Sequence, residues 1–117
     1  DIYPTLCELA GLPAGKMPQP IDGDSLVPIL EGKADTVSDH VYHCFPKSGK
    51  LGRAIRTKRY RMVEWKPFQS SKSVEYELYD YQTDPLETKN IAGQKPKVLE
   101  QMKKLLAEHP PAKKPLR

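Results

Sequence analysis

The chain contains no apolar run approaching the roughly 20 residues that a membrane-spanning helix needs, and only 38% of it is hydrophobic. No signal-peptide pattern of charged, apolar and small-residue regions is visible. Cysteine is scarce: Cys7 and Cys44 stand alone, neither in C-x-x-C spacing nor accompanied by histidines at zinc spacing, so both are predicted to be packed thiols. An excess of one charge is also missing. Nineteen Lys and Arg against 15 Asp and Glu leave +4, spread from Lys16 to Arg117 without a basic block, which is mild basicity only.

Proline, by contrast, is plentiful, with 12 in 117 residues. One domain with a thin core and long irregular connections is therefore expected. Asp1 can cap a short helix with Pro4 in its first turn and Ile2, Leu6, Leu9 and Ala10 on its apolar side, ended by Gly11. The chain opens on Asp1 directly into this helical pattern, from which we expect a piece of a longer polypeptide. Pro13, Gly15, Pro18, Pro20 and Gly23 make residues 12–25 a Pro-rich connector. Asp24 or Ser25 then starts a helical turn through Leu26, Ile29 and Leu30, a small apolar plug stopped by Gly32.

From Asp39 onward β-branched and aromatic residues dominate. Val41, Tyr42 and Phe45 mark a first strand; Leu51 to Thr57 and Tyr60 to Trp65 are two more, joined so tightly by Lys58 and Arg59 that they should pair antiparallel. Tyr76 to Tyr81 supplies a fourth, followed by a turn at Asp84-Pro85 that Asn90 closes. Pro96 opens a last helix whose Val98, Leu99, Met102, Leu105 and Leu106 form one stripe. Pro110-Pro111 ends it, leaving 112–117 as a mobile tail. The predicted fold class is α+β: a four-stranded antiparallel sheet with the C-terminal helix packed on one face, preceded by short helices and the connector. On the second predicted strand, Gly52, Ala54 and Arg56 share one face. Small residues around a single Arg leave room for a partner, so Arg56 is a candidate interdomain contact.

Four blocks then become recognisable in order. These are Asp1-Ile-Tyr-Pro-Thr-Leu-Cys-Glu-Leu-Ala-Gly-Leu12; Ile21-Asp-Gly-Asp-Ser-Leu-Val-Pro-Ile-Leu30; Arg53-Ala-Ile-Arg-Thr57 with Tyr60-Arg61; and Glu77-Leu-Tyr-Asp80 with Asp84-Pro85, Glu87 and Asn90. Together, over about residues 1–92, they resemble the C-terminal part of the sulfatases, which implies a subdomain over 1–111, with the hairpin most similar to iduronate-2-sulfatase and its bacterial relatives. The resemblance implies a sulfuric ester hydrolase of the alkaline-phosphatase-like superfamily, acting on sulfated saccharides or aryl sulfates. It also implies an N-terminal catalytic domain as this chain's partner, with a formylglycine and a calcium ion held there and no cofactor in this chain. A periplasmic, extracellular or lysosomal-type parent is the corresponding expectation.

The family nucleophile arises from a C/S-x-P-x-R motif, and Cys44-Phe-Pro-Lys-Ser48 matches only its Cys and Pro. Ser48 stands where the Arg belongs, and a strand residue is a poor candidate for that role, so no catalytic residue is assigned. Asp22, Asp24, Asp35 and Asp39 lack the alternating spacing of a calcium loop, so no metal ligand is assigned either. The chain alone is expected to be inactive. Pro46-Lys-Ser-Gly-Lys50, flanked by His43 and Arg53, reads as a basic loop at a strand end, suited to an anionic sugar on the parent's active-site rim. His43, Lys47, Lys50 and Arg53 are therefore the candidate substrate-binding residues.

Two other readings compete. Arg53, Arg56, Lys58, Arg59 and Arg61 near Tyr60 and Trp65 suggest a nucleic-acid module. However, the charge is small, the cations alternate between faces and no RRM signature occurs. The second is a free-standing saccharide-binding or interaction module. A C/S-x-P-x-R domain encoded just upstream would dismiss it.

Overall fold

Period-2 alternation of β-branched and aromatic residues builds a sheet, and the turn residues between the runs set its order. The computed structural model describes residues 1–13, 20–47, 49–69, 73–111 and 113. Six residues of the expected connector, 14–19, and most of the expected tail, 112 and 114–117, lie outside the described residues. Two compact units are present, Asp1–Asp39 and His40–Arg117.

The second unit is an antiparallel meander of β1 (His40–Lys47), β2 (Lys50–Thr57), β3 (Tyr60–Pro67) and β4 (Glu75–Asp80), side by side in chain order. Each strand lies where the sequence pattern puts it, with ends shifted by one or two residues. Lys58 and Arg59 form the tight β2–β3 link, in which the Thr57 hydroxyl accepts the Tyr60 N–H at 3.0 Å. The expected loop 46–50 is shorter than the sequence suggests. Strand pairing runs as far as Lys47 opposite Lys50, and Gly49 takes the left-handed φ of 77° that such a tight reversal requires.

The terminal helix spans Pro96–Ala107, and its apolar stripe lies on the sheet as predicted. Ile55, Met62 and Leu78 are direct neighbours across β2, β3 and β4, and with Met102 and Leu106 of the helix they form the buried core. Val98, Leu99 and Leu105 pack on its margin. Full burial of each such side chain contributes about 1.5–3 kcal/mol. Asn90 does more than close a turn. Its side-chain oxygen accepts the N–H groups of Leu78 and Ala92, both at 3.0 Å, and its amide donates to the Tyr76 carbonyl at 3.2 Å. Backbone groups on the outer edge of β4 thus find partners in the Asn90 side chain, without a fifth strand.

The first unit holds a helix over Ile2–Leu9 and a single turn over Val27–Leu30. Both end in the same way: Gly11 and Gly32 adopt φ of 70° and 68°, and the following amides of Leu12 and Lys33 return to the carbonyls of Cys7 and Pro28, as Schellman caps do. Two expectations fail here. Asp1 makes no side-chain cap to its own helix; its carboxylate instead accepts the Asp24 N–H at 3.0 Å, while Thr5 Oγ1 accepts the Leu26 N–H at 2.9 Å. The apolar side is also not internal. Pro4, Thr5 and Cys7 are the buried positions, whereas Ile2, Leu6 and Leu9 are 75%, 59% and 62% exposed. In the expected plug only Val27 is buried, with Leu30 68% exposed. A unit this short has no second apolar layer of its own to cover that stripe.

Candidate functional site

The register sorts the candidate residues between the two sides of the sheet. On the side away from the helix, one row runs Phe45, Gly52, Trp65, Glu75 and the next runs His43, Ala54, Val63, Glu77. Lys47 and Lys50 face each other at the end of the same side. Trp65 organises this end. Its indole N–H donates to Glu77 Oε1 at 3.0 Å, and the edge of Phe45 meets its ring with centroids 5.7 Å apart. The ammonium groups of Lys47 and Lys50 lie 5.2 and 5.4 Å from the indole centre, within cation–π range. His43 stacks on Phe45 at 6.5 Å, and Lys50 also pairs with Glu75 at 2.8 Å. Three of the four proposed substrate contacts, His43, Lys47 and Lys50, are therefore gathered around one aromatic pair.

Arg53 is not among them. It lies on the helix side, only 11% exposed, with Nε and an Nη on Glu64 Oε1 at 3.0 and 2.7 Å. Its other Nη donates to the Pro110 carbonyl at 2.8 Å. The second oxygen of Glu64 accepts from the Tyr76 hydroxyl at 3.1 Å. This guanidinium joins the sheet to the segment after the helix, and each of its three nitrogens already donates a hydrogen bond.

The space beside Gly52, read from sequence as room for a partner, is filled from within. A Cβ at Gly52 would lie 2.6 Å from a ring carbon of Trp65; the small residue makes way for the indole of its direct neighbour. Arg56 stays exposed, with its guanidinium 4.0 Å over the Tyr81 ring. Cys44 departs from expectation as well. Cys7 is buried, but Cys44 is exposed, because β1 is the outermost strand of the sheet.

A carboxylate network braces the far end. Arg59 grips buried Asp80 with two bonds of 2.9 and 2.8 Å, and the Gln82 N–H adds a third at 3.1 Å. Arg59 chiefly, helped by that amide, holds the Asp80 carboxyl below its ordinary range. Asp84 is lowered in the same direction by the backbone N–H groups of Thr88 and Lys89. Burial works against ionisation of Glu87, but bonds from Tyr81 and Arg61 outweigh it and keep it low too. Glu87 sits at φ 55°, a left-handed conformation that its two partners hold in place. The five clustered cations of the β2–β3 hairpin are thus largely neutralised, with Arg53, Arg59 and Arg61 all in ion pairs.

The sign of the acid response follows. A carboxylate with a folded pKa below its unfolded value stabilises fully above about pH 4 and loses that contribution as pH falls through the folded value. Thermal melts should therefore show an acid limb below about pH 4, and Asp80→Asn should shrink it. An unchanged limb in that variant would remove Asp80 from the account.

Residues 1–111 match the C-terminal family of N-sulphoglucosamine sulphohydrolase. The chain belongs to this family of sulfatase C-terminal domains. It is 32% identical to an ulvan-active sulfatase of Formosa agariphila over 80% of this chain and 24% of that protein. It is 34% identical to a delta 4,5-hexuronate-2-O-sulfatase of Bacteroides thetaiotaomicron over 93% of this chain and 21% of that protein. Among solved structures it resembles a protein in complex with its substrate D-glucosamine-2-N,6-O-disulfate, with a TM-score of 0.74 and 27% identity over 92% of this chain and 22% of the other. The sulfatase C-terminal domain described here thus spans between a fifth and a quarter of the length of these relatives.

Sequence reasoning named the cations of this domain but missed Trp65, Glu77 and Phe45 as their support. The available signal was Gly52, whose missing side chain matters only once the register places Trp65 beside it.

Proposed function

We propose that this domain completes a sulfuric ester hydrolase acting on sulfated saccharides, with its β1–β2 hairpin forming a basic wall of the substrate cleft. One observation carries the reading: a sulfatase C-terminal match over residues 1–111 in a chain whose Lys47, Lys50 and His43 converge on the Trp65–Phe45 pair. Ammonium groups held over an aromatic surface suit a ligand with a sugar face and a sulfate group, since charge-assisted bonds favour the anion. Arg56, exposed beside Tyr81, is the proposed contact to the catalytic domain. The exposed stripe of Ile2, Leu6 and Leu9 is a separate proposed contact to that domain, because an apolar surface left bare calls for a partner.

Sulfate-ester cleavage needs an activated oxygen nucleophile and concentrated positive charge around the equatorial oxygens. In this reading a formylglycine and a calcium ion in the catalytic domain supply them. Among this domain's carboxylates, Asp80 is engaged by Arg59, Asp84 by the Lys89 amide and Thr88, and Asp1 by the Asp24 amide, so none of these three is proposed as a ligand for that ion. Its own residues orient and hold the substrate; they carry no bond-breaking step.

The test uses the full-length protein. Replacing Lys47 and Lys50 together by Met keeps the apolar stems against Trp65 while removing both charges. KM for a sulfated oligosaccharide should rise roughly tenfold, the equivalent of about 1.4 kcal/mol of charge-assisted binding. KM for a small aryl sulfate should stay unchanged. Equal effects on both substrates, or none, would overturn the assignment of this wall; no sulfate release from any ester by the unmodified protein would overturn the hydrolase reading itself.

A further inference from the structure

The most unusual pair of side chains lies on the helix side of the sheet, away from the proposed substrate wall. His40 begins β1, and His109 follows the end of the terminal helix. Their Nε2 atoms are 2.8 Å apart across 69 residues of sequence. The rings meet edge to face at 80° with centroids 5.1 Å apart, and Tyr42 stacks flat on His109 at 4.4 Å and 8°. Both histidines are half-buried, so little side-chain freedom remains to be lost on binding a ligand.

We propose that His40 and His109 form a two-imidazole site for Zn2+, which ties the start of β1 to the segment beyond the helix. Zinc–imidazole bonds of about 2.0–2.1 Å at tetrahedral angles place two neighbouring ligand nitrogens roughly 3.3–3.4 Å apart, so the pair, 2.8 Å apart without metal, must open by about half an ångström. Imidazole is a ligand type that zinc accepts readily. Without metal, one neutral ring must donate its Nε2–H to the lone pair of the other. On binding, the donor ring moves that proton to Nδ1, both Nε2 lone pairs turn to the ion, and water fills the remaining positions. No net proton is released from the neutral pair.

The local electrostatics permit a cation. Arg53 donates to the Pro110 carbonyl next to His109, but Glu64, 2.7 Å from its guanidinium, balances that charge. Stacking by Tyr42 fixes the ring plane of His109, and a 3.2 Å bond from the His109 N–H to the Leu106 carbonyl holds its backbone. Because the two ligands are far apart in sequence, the ion would close a long loop in the folded state and stabilise it as occupancy rises.

The test is a Zn2+ titration of the full-length protein by calorimetry, with melting temperature recorded at each concentration, comparing wild type with His40→Ala and His109→Ala. The expected result is a binding event in the wild type that weakens at least tenfold in either variant, with a zinc-dependent rise in melting temperature that both variants lose. Binding should also be weaker at pH 5.5 than at pH 7.5, because a protonated imidazole has no lone pair to offer. If His40→Ala impairs folding, His109→Ala decides alone, since His109 lies outside every helix and strand. Absence of a zinc event in the wild type, or isotherms indistinguishable between wild type and the variants, would overturn the proposal.

Discussion

Gly52→Val should lower the melting temperature of the domain by roughly 15 °C, the equivalent of about 3 kcal/mol for a unit of this size. The first added carbon would sit 2.6 Å from one carbon of the Trp65 ring and 3.0 Å from two others, distances that carbon atoms do not share. The ring has little freedom to move aside, since its N–H is bonded to Glu77 and Lys47, Lys50 and Phe45 are gathered around it. Either the indole turns out of its place or β2 and β3 separate. Pairing Gly52→Val with Trp65→Leu should recover about half of the loss, because the smaller side chain leaves the space that valine needs. Additive losses in the double variant would show that the glycine serves some other purpose. The same substitution would also displace Lys47 and Lys50, so a sulfatase carrying it should lose the saccharide preference attributed to the hairpin.

Arg53→Ala should cost about 3 kcal/mol, because it strands a nearly buried carboxylate. Glu64 is only 12% exposed and takes two bonds from the guanidinium; the alanine variant leaves it with the Tyr76 hydroxyl alone. Replacing both partners, as in Arg53→Met with Glu64→Leu, should restore most of the stability, since apolar side chains of similar volume need no charge partner. Equilibrium unfolding of the three variants measures this directly. A stable Arg53→Ala variant with a raised KM for saccharide would instead return Arg53 to the substrate contacts assigned from sequence.

The two results bear on one division. Lys47, Lys50 and His43 belong to a face shaped around Trp65, whereas Arg53 belongs to the seam between sheet and helix. All four look equivalent along the chain, within eleven residues of one another. Alternation already hinted at the split, because Arg53 shares its parity with Ile55, a core residue. What alternation could not supply was the partner: Glu64 qualifies only because the β2–β3 register sets it directly opposite Arg53. His40 and His109 were silent for the same reason, being separated by 69 residues and joined only by the return of the last helix across the sheet.

Local chemistry was sufficient for most of the architecture. The tight Lys58-Arg59 link, the β-branched runs, the Asp84-Pro85 turn and the 3.6-residue stripe from Val98 to Leu106 each act over a few residues, and so the α+β sheet, its order and its covering helix were legible in sequence alone. The family was legible too, from blocks that keep their order. Which side each cation faces, what fills the space at Gly52, and that the apolar side of the first helix lies bare were decided only by the tertiary structure. Those outcomes depend on pairing register and on how much apolar surface a neighbouring layer can cover, quantities set by residues distant in the chain rather than by any local pattern.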